Sequence, residues 1–395
     1  MTDDDQPVTS APWRQWGDHI QDNAIEQLRL ACSLPISVRG ALMPDAHLGF
    51  GLPVGGVLAT RNAVIPYAVG VDIACRMRLS VFSVPAKRLK GQEDRLGKIL
   101  EQQTRFGIGA TFEDRNEHAV MDEDWSITPL VSKLKDKAWD QLGTSGSGNH
   151  FVEFGTFELT QPELGLQPGS YLALLTHSGS RGSGAAIASH YSKLAAQQHP
   201  ELTGPLSQLA WLSLDTESGQ EYWRAMELMG RYAAANHACI HRRIARAVGE
   251  KVALAIENHH NFAWKETHFG EEVIVHRKGA TPAGVGVLGV IPGSMATPSF
   301  IVRGRGEPDS MNSAAHGAGR AMSRTEAKHR FTWKDARPLL KENGVTLLSA
   351  GIDEAPMAYK DIHAVMAAQA DLVETLATFR PSLVKMAPAG EKPED

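Results

Sequence analysis

Residues 69–84 read Val69-Gly-Val-Asp72-Ile-Ala-Cys75-Arg-Met-Arg-Leu-Ser-Val-Phe-Ser-Val84. From Arg76 onward the residues alternate well enough to predict a strand. Just before it, a carboxylate and a thiol stand three residues apart on a tight turn, where a D-x-x-C pair can reach one ion. Ligand-type residues at the junction of a strand and a loop recur along the chain. Gly148-Asn149-His150 leads into an expected strand at 151–154, a strand at 171–175 runs into Thr176-His177-Ser178, and a strand at 252–257 ends at His259-His260-Asn261. Further strands are expected at 273–276, 287–291 and 300–303, with a glycine-rich strand-loop-strand over 42–60. Helices are expected from a cap at Asp18 to Pro35, at 95–104, 132–142 and 185–198, and over 219–248, where the apolar set keeps helical spacing. A last amphipathic helix is expected over 364–379. This mixture implies an α+β fold of mixed sheets flanked by helices. No low-complexity linker or repeat divides the chain, and the chemically distinctive segments scatter from residue 45 to 385. One domain over 15–386 is expected, between flexible tails at 1–14 and 387–395.

Composition narrows the function. The chain has 395 residues, 40 Lys plus Arg against 45 Asp plus Glu, and a formal net charge of −5. With 42% hydrophobic and 22% charged residues it is ordinary globular material. Slight acidity argues against nonspecific coating of nucleic acid but leaves room for a local basic site. No run is long and apolar enough for a membrane helix. Met1-Thr-Asp-Asp-Asp5 has neither a secretory nor a transit-peptide character, so a cytoplasmic protein is expected. Three cysteines at irregular spacing do not make a disulfide framework.

Three constellations carry chemistry. Asp72, Cys75, His150, His177 and His260 supply a carboxylate, a thiolate and imidazoles, enough for one or two divalent ions, and their softness alone favours zinc or iron. The loops 142–149 and 177–184 are rich in glycine and hydroxyls. The second opens directly into a helix and contains Arg181, a combination suited to phosphate or sulfate. Neither loop is a Walker A sequence. In Ser313-Ala-Ala-His316-Gly-Ala-Gly-Arg320-Ala-Met-Ser-Arg324, one histidine precedes two arginines by four and eight positions. Such an imidazole can act as general acid or base, metal ligand, or nucleophile toward phosphorus. His237 and His241, four apart on the long helix, read as structural.

Together these segments are similar to the RtcB family of RNA ligases. The matching stretches follow the family's order: Met43-Pro-Asp-Ala-His-Leu-Gly49, Val69–Cys75, Gly148-Asn-His-Phe151, His177-Ser-Gly-Ser-Arg-Gly182, His259-His-Asn261, His276-Arg-Lys-Gly-Ala-Thr281, Ile291-Pro-Gly-Ser-Met295, His316-Gly-Ala-Gly-Arg320 and Asp353-Glu-Ala-Pro356. The resemblance implies joining of RNA 3′-phosphate or 2′,3′-cyclic phosphate ends to 5′-hydroxyl ends with GTP and manganese. It implies two Mn²⁺ ions on Asp72, Cys75, His150, His177 and His260, and His316 as the nucleophile that carries GMP. By the same resemblance Asn149, Glu153, Ser294, Ser299, Tyr359 and Lys385 hold the guanylate, and Arg181, Arg320 and Arg324 hold RNA phosphates. A monomer is expected, with broken RNA as partner. Rival expectations are GMP capping of 3′-phosphates without ligation, a silent RNA-binding relative, and an unrelated dinuclear metallohydrolase. The chain departs from the family pattern at Phe50, usually lysine, at Arg76, usually glycine, at Ser145-Gly-Ser147, usually glycines, and in the residues after Lys385. These departures suggest a divergent member with a repair role.

Overall fold

The strand Arg76–Pro85 lies next to the edge of an eight-stranded sheet in a computed structural model that describes residues 10–392. Its alternation sends Met77, Leu79 and Val81 to one face, against Phe157, Leu175, Ile301 and Phe379. Phe82 goes to the other face with Val152, Phe154 and Leu174, and there meets Ile240, Ile244 and Val248. Those three residues end the long helix Glu217–Val248. Thr216 caps its start by accepting from the Gly219 amide, and Gly249, in the left-handed region, stops it. The helix's first half packs Tyr222, Met226 and Met229 against Ile187 and Tyr191 of the helix Arg181–Gln198. One amphipathic helix therefore joins two cores.

The sheet order is Leu288–Ile291, Ser299–Gly304, Val373–Met386, Phe151–Leu159, Gly169–Ser178, Arg76–Pro85 and Val252–His259, with Thr346–Ser349 paired alongside Val373–Met386. A five-stranded sheet runs Trp13–Gln15, Ser37–His47, Val54–Thr60, Glu271–Lys278 and Phe262–His268. The expected α+β class is observed. In register, Met77 pairs with His177 and Arg76 with His259, while Phe151 pairs with His177. Antiparallel pairing thus brings the ends of four adjacent strands, each with a ligand-type residue at or beside its end, to one end of the sheet. Among the described residues, no helix is long and apolar enough to cross a membrane.

Several expectations are corrected. The amphipathic helix over 364–379 is a short helix, Ile362–Ala367, followed by the strand Val373–Met386. Val373, Ala377 and Phe379 are buried and pair across to Ser299–Gly304 and Phe151–Leu159, so long-range ladders override a pattern that also fitted a helix. The first helix is Asp22–Cys32, capped at Gln21 without a side-chain bond, not at Asp18. Residues 11–14 of the expected N-terminal tail belong to the fold, because Trp13–Gln15 pairs in parallel with Ser37–His47 and Ala11 is buried; residues 1–9 of that expectation lie outside the described residues. At the other end Ala387 is buried, and the Lys392 carbonyl accepts from Ser147 Oγ at 2.5 Å. Residues 393–395 again lie outside.

Candidate functional site

The turn before Arg76 is held in a conformation few side chains adopt. Ala74 has φ +57°, and its amide donates to the carbonyl of Asn261, itself at φ +63°. This contact ties the turn of Asp72 and Cys75 to the loop of His260. Cys75 Sγ lies 3.1 Å from His177 Nε2 and 3.4 Å from His150 Nε2. His150 Nε2 is 3.1 Å from Asp72 Oδ2, and His177 Nε2 is 3.1 Å from His260 Nε2. Cys75, His150 and His177 form a buried group with ligand atoms all within 4.8 Å of one another. Burial, with His150 close by, pushes the His177 imidazole down to about 3. Burial pushes His260 well below its ordinary value. Neutral imidazoles with converging lone pairs, a thiol and a carboxylate are the donor set that a divalent cation needs.

Asp72 is positioned by the glycine loop expected to bind phosphate. Ser180 N donates to Asp72 Oδ1 at 3.1 Å at the start of the helix Arg181–Gln198. A Cβ on Gly179 would come within 2.1 Å of both carboxylate oxygens. The helix N-terminus does bind an anion, but the anion is the protein's own Asp72. Arg181 is buried behind it, bonded to Thr144 Oγ1 at 3.1 Å and to the Gly107 carbonyl at 3.3 Å.

Beside this cluster opens a cavity of about 980 Å³. Its walls include Asp72, Cys75, His177, His260, His316, Asn149, Glu153, Ser294, Ser299, Tyr359, Arg320 and Arg324. Residues from 72 to 359 thus meet in one space. His150 is bonded to the cluster without lining the cavity. Arg181 and Lys385 are the two expected site residues outside both. Lys385 lies outside the cavity for a reason of strand geometry. Met386 pairs with Phe151 and Val384 with Glu153, and these four share the face that lines the cavity. Lys385, between them, points the other way, and its Nζ bonds the carbonyl of Leu100 at 3.3 Å.

His316 approaches His260 with ring centroids 4.8 Å apart. Its Nδ1 bonds Asp45 Oδ2 at 2.7 Å, and the same oxygen accepts from the amides of His316 at 3.2 Å and Gly317 at 3.3 Å. Asp45 is fully buried and His316 is 14% exposed. The carboxylate holds the proton on Nδ1, which leaves the Nε2 lone pair for chemistry. Gly319, at φ +70°, is needed here because a Cβ would meet the Asp45 carbonyl at 2.1 Å. Asp45 was missed as a functional residue, although it stands inside the Met43–Gly49 stretch. A single buried carboxylate has no spacing signal of its own.

At the far wall, Asn149 Oδ1 is buried without a hydrogen-bond partner. Burial raises the Glu153 carboxyl to about 8. Arg320 donates to the Asp353 carbonyl at 2.7 Å and lies near Glu354, and Arg324 Nη1 is 3.2 Å from Asp353 Oδ2 and also bonds Glu354. Tyr359 OH donates to Glu354 as well. Both arginines are held by carboxylates at the cavity edge. Arg76, which follows Cys75 where the family pattern usually has glycine, turns from the metal-type cluster. It donates to the Gly230 carbonyl at 3.0 Å and lies 3.5 Å from Glu257.

The RtcB family model, described as tRNA-splicing ligase RtcB, matches residues 27–128 and 123–386. The chain is 37% identical to the RNA-splicing ligase RtcB of Escherichia coli K12 over 402 residues, covering 94% of this chain and 96% of that one. It is 32% identical to the tRNA-splicing ligase RtcB of Nanoarchaeum equitans, covering 92% and 91%. To that of Methanococcus maripaludis it is 30% identical, covering 88% of each chain. With the site's histidines, thiol and carboxylates in the positions described, the chain belongs to the RtcB family.

Proposed function

We propose that the protein is an RNA ligase that joins 3′-phosphate or 2′,3′-cyclic phosphate ends to 5′-hydroxyl ends with GTP as co-substrate. The observation that carries this reading is the Asp45–His316 pair beside the thiol–imidazole cluster, in one cavity. His316 Nε2 attacks the α-phosphorus of GTP, forming a phosphoramidate and releasing pyrophosphate. A 2′,3′-cyclic end is first opened by water, which gives its oxygen to phosphorus and a proton to the freed 2′-oxygen; an oxygen of the 3′-phosphate then attacks the phosphorus of the phosphoramidate and takes GMP, freeing the histidine. The 5′-hydroxyl finally attacks the activated 3′-phosphorus, loses its proton and expels GMP. Asp45, bonded to Nδ1, sets the tautomer and orients the Nε2 lone pair for attack, and its charge stabilises the positive charge the ring gains.

Asp72, Cys75, His150, His177 and His260 are the residues that would hold two Mn²⁺ ions. Bound there, the ions would neutralise charge on the triphosphate and on the leaving pyrophosphate. The soft donor set binds zinc more tightly than manganese, so the identity of the metal follows from the family resemblance and availability, not from affinity. Asn149, Glu153, Ser294, Ser299 and Tyr359 form the wall proposed for the guanylate. Glu153 is suited to the N–H donors on the guanine edge. Arg320 and Arg324 meet RNA phosphates by exchanging their carboxylate partners. Arg181 and Lys385 face away from the cavity and support its wall from behind, through the Thr144 hydroxyl and the Leu100 carbonyl. We propose a monomeric, cytoplasmic enzyme with a single catalytic unit that takes in the strand Trp13–Gln15 and the buried Ala387 as well as the expected 15–386.

The test is GTP labelled at the α-phosphate, with Mn²⁺, on the wild type and His316→Ala. An acid-labile labelled protein that is missing in the variant is expected. No label on a metal-loaded wild type would overturn the mechanism.

A further inference from the structure

The segment Leu48-Gly-Phe50-Gly51 crosses the mouth of the catalytic cavity, and Leu48, Gly49 and Phe50 all line it. Phe50 is 62% exposed and Leu48 is 53% exposed. The other large apolar residues exposed among those described, Ile108, Phe269, Val285 and Val287, do not line the cavity. What sets Phe50 apart from a singly exposed apolar residue is its place, beside the exposed Leu48 on the wall of the catalytic cavity.

The backbone under this ring is held from three sides. The Gln27 side chain makes a two-way clamp on Gly49, donating to its carbonyl at 2.6 Å and accepting from its amide at 3.0 Å. Gly51, at φ +70°, donates to Gln208 Oε1 at 2.8 Å. Lys278, bonded also to the Tyr67 carbonyl at 3.0 Å, donates to the carbonyl of Phe50 itself. Leu52 next to the loop is fully buried. A helix, a turn and a strand thus fix the main chain at the point where the ring is left free. This is preorganisation of a surface, which lowers the entropy lost when a flat partner is bound.

Resting on the ligase reading, we infer that Phe50, with Leu48 beside it, is the stacking platform for the terminal nucleobase of an RNA end entering the cavity. Stacking recognises an unpaired base by its face and tolerates any sequence. A phenyl ring offers a face to a base, which favours single-stranded ends over blunt duplex ends.

The test measures joining and binding of short RNA strands by the full-length, metal-loaded protein. Wild type, Phe50→Ala, Phe50→Trp and Phe50→Lys are compared. Each takes strands with an intact or an abasic terminal nucleotide, placed in turn on the 3′-phosphate strand and on the 5′-hydroxyl strand. Phe50→Ala is expected to weaken RNA binding about fivefold or more, with unchanged Tm, and Phe50→Trp to retain it. The abasic strand is expected to weaken the wild type by a like factor on one of the two strands and to leave Phe50→Ala indifferent. Equal losses from abasic strands in wild type and Phe50→Ala, or no effect of Phe50→Ala, would overturn the platform while leaving the ligase intact. A wild type that neither binds nor joins any strand would overturn the ligase reading and the platform with it.

Discussion

Asp45 Oδ2 accepts from three donors of one turn, the His316 ring and the amides of His316 and Gly317. Replacing Asp45 by Asn keeps the shape but swaps an acceptor for a donor or a weaker acceptor, which disturbs the tautomer at Nε2. Asp45→Asn is expected to slow protein guanylation by roughly 10²–10⁴-fold with little change in far-UV circular dichroism. A near-normal rate would remove Asp45 from the mechanism.

Glu153 gives a pH signature of its own. Its carboxyl is raised by burial from the ordinary 4.5 to about 8, so between those values the folded state binds more protons than the unfolded one. The stabilising contribution is complete below pH 4.5 and is lost as pH rises through about 8. Glu153→Gln is expected to flatten Tm against pH across that window. A guanine edge presents N–H donors, so GTP binding near pH 7 is also expected to release a proton from Glu153. Calorimetry in buffers of different ionisation enthalpy detects that release, and buffer-independent heats would remove Glu153 from the guanine contact.

At the scale of elements, the strand Val373–Met386 links the site to the core. Two of its residues, Val384 and Met386, line the cavity, while Phe379 is fully buried in the cluster on one sheet face. Phe379→Ala is expected to cost about 3–5 kcal/mol in denaturant unfolding. If residues 364–379 formed the amphipathic helix that their pattern suggested, the loss would be smaller and helical content would fall. The long helix shows the opposite case. Its apolar spacing over 219–248 was readable without any partner, because a helix closes its own hydrogen bonds and needs only one stripe to be apolar. A strand's pairing partners lie far away in sequence, and Val373–Met386 bonds to strands some 70 and 220 positions earlier.

For the molecule as a whole, the cluster of Cys75, His150, His177, His260 and Asp72 holds together segments more than 180 residues apart. A cation that binds only the folded chain stabilises it by mass action, about 2.7 kcal/mol at a hundred times the dissociation constant. Mn²⁺ or Zn²⁺ added to chelator-treated protein is expected to raise Tm, with Zn²⁺ effective at lower concentration. Cys75→Ala is expected to lose most of the rise. A Tm indifferent to both ions in the wild type would show that these donors are a hydrogen-bonded cluster only.

The residue types of the site were legible from one dimension. A thiol, carboxylates and histidines beside glycine turns at strand ends are what a cation and a phosphate chemistry need, and Asp72, Cys75, His150, His177, His260 and His316 stand out for that reason. The α+β class followed from local periodicity, which each segment carries alone. What lay beyond the sequence depended on direction and distance. Lys385 and Arg181 have the right chemistry, but strand pleat and the clamp on Asp72 turn them from the cavity. Asp45 and Phe50 have ordinary types and no telling spacing. Burial against His316 made one a proton holder, and a pinned backbone at the cavity mouth left the other exposed. Covalent order dictates which groups are present and how each segment coils. Long-range packing dictates which of them share a space and which way they face, because hydrogen-bond ladders and hydrophobic burial are satisfied only between segments distant in the chain.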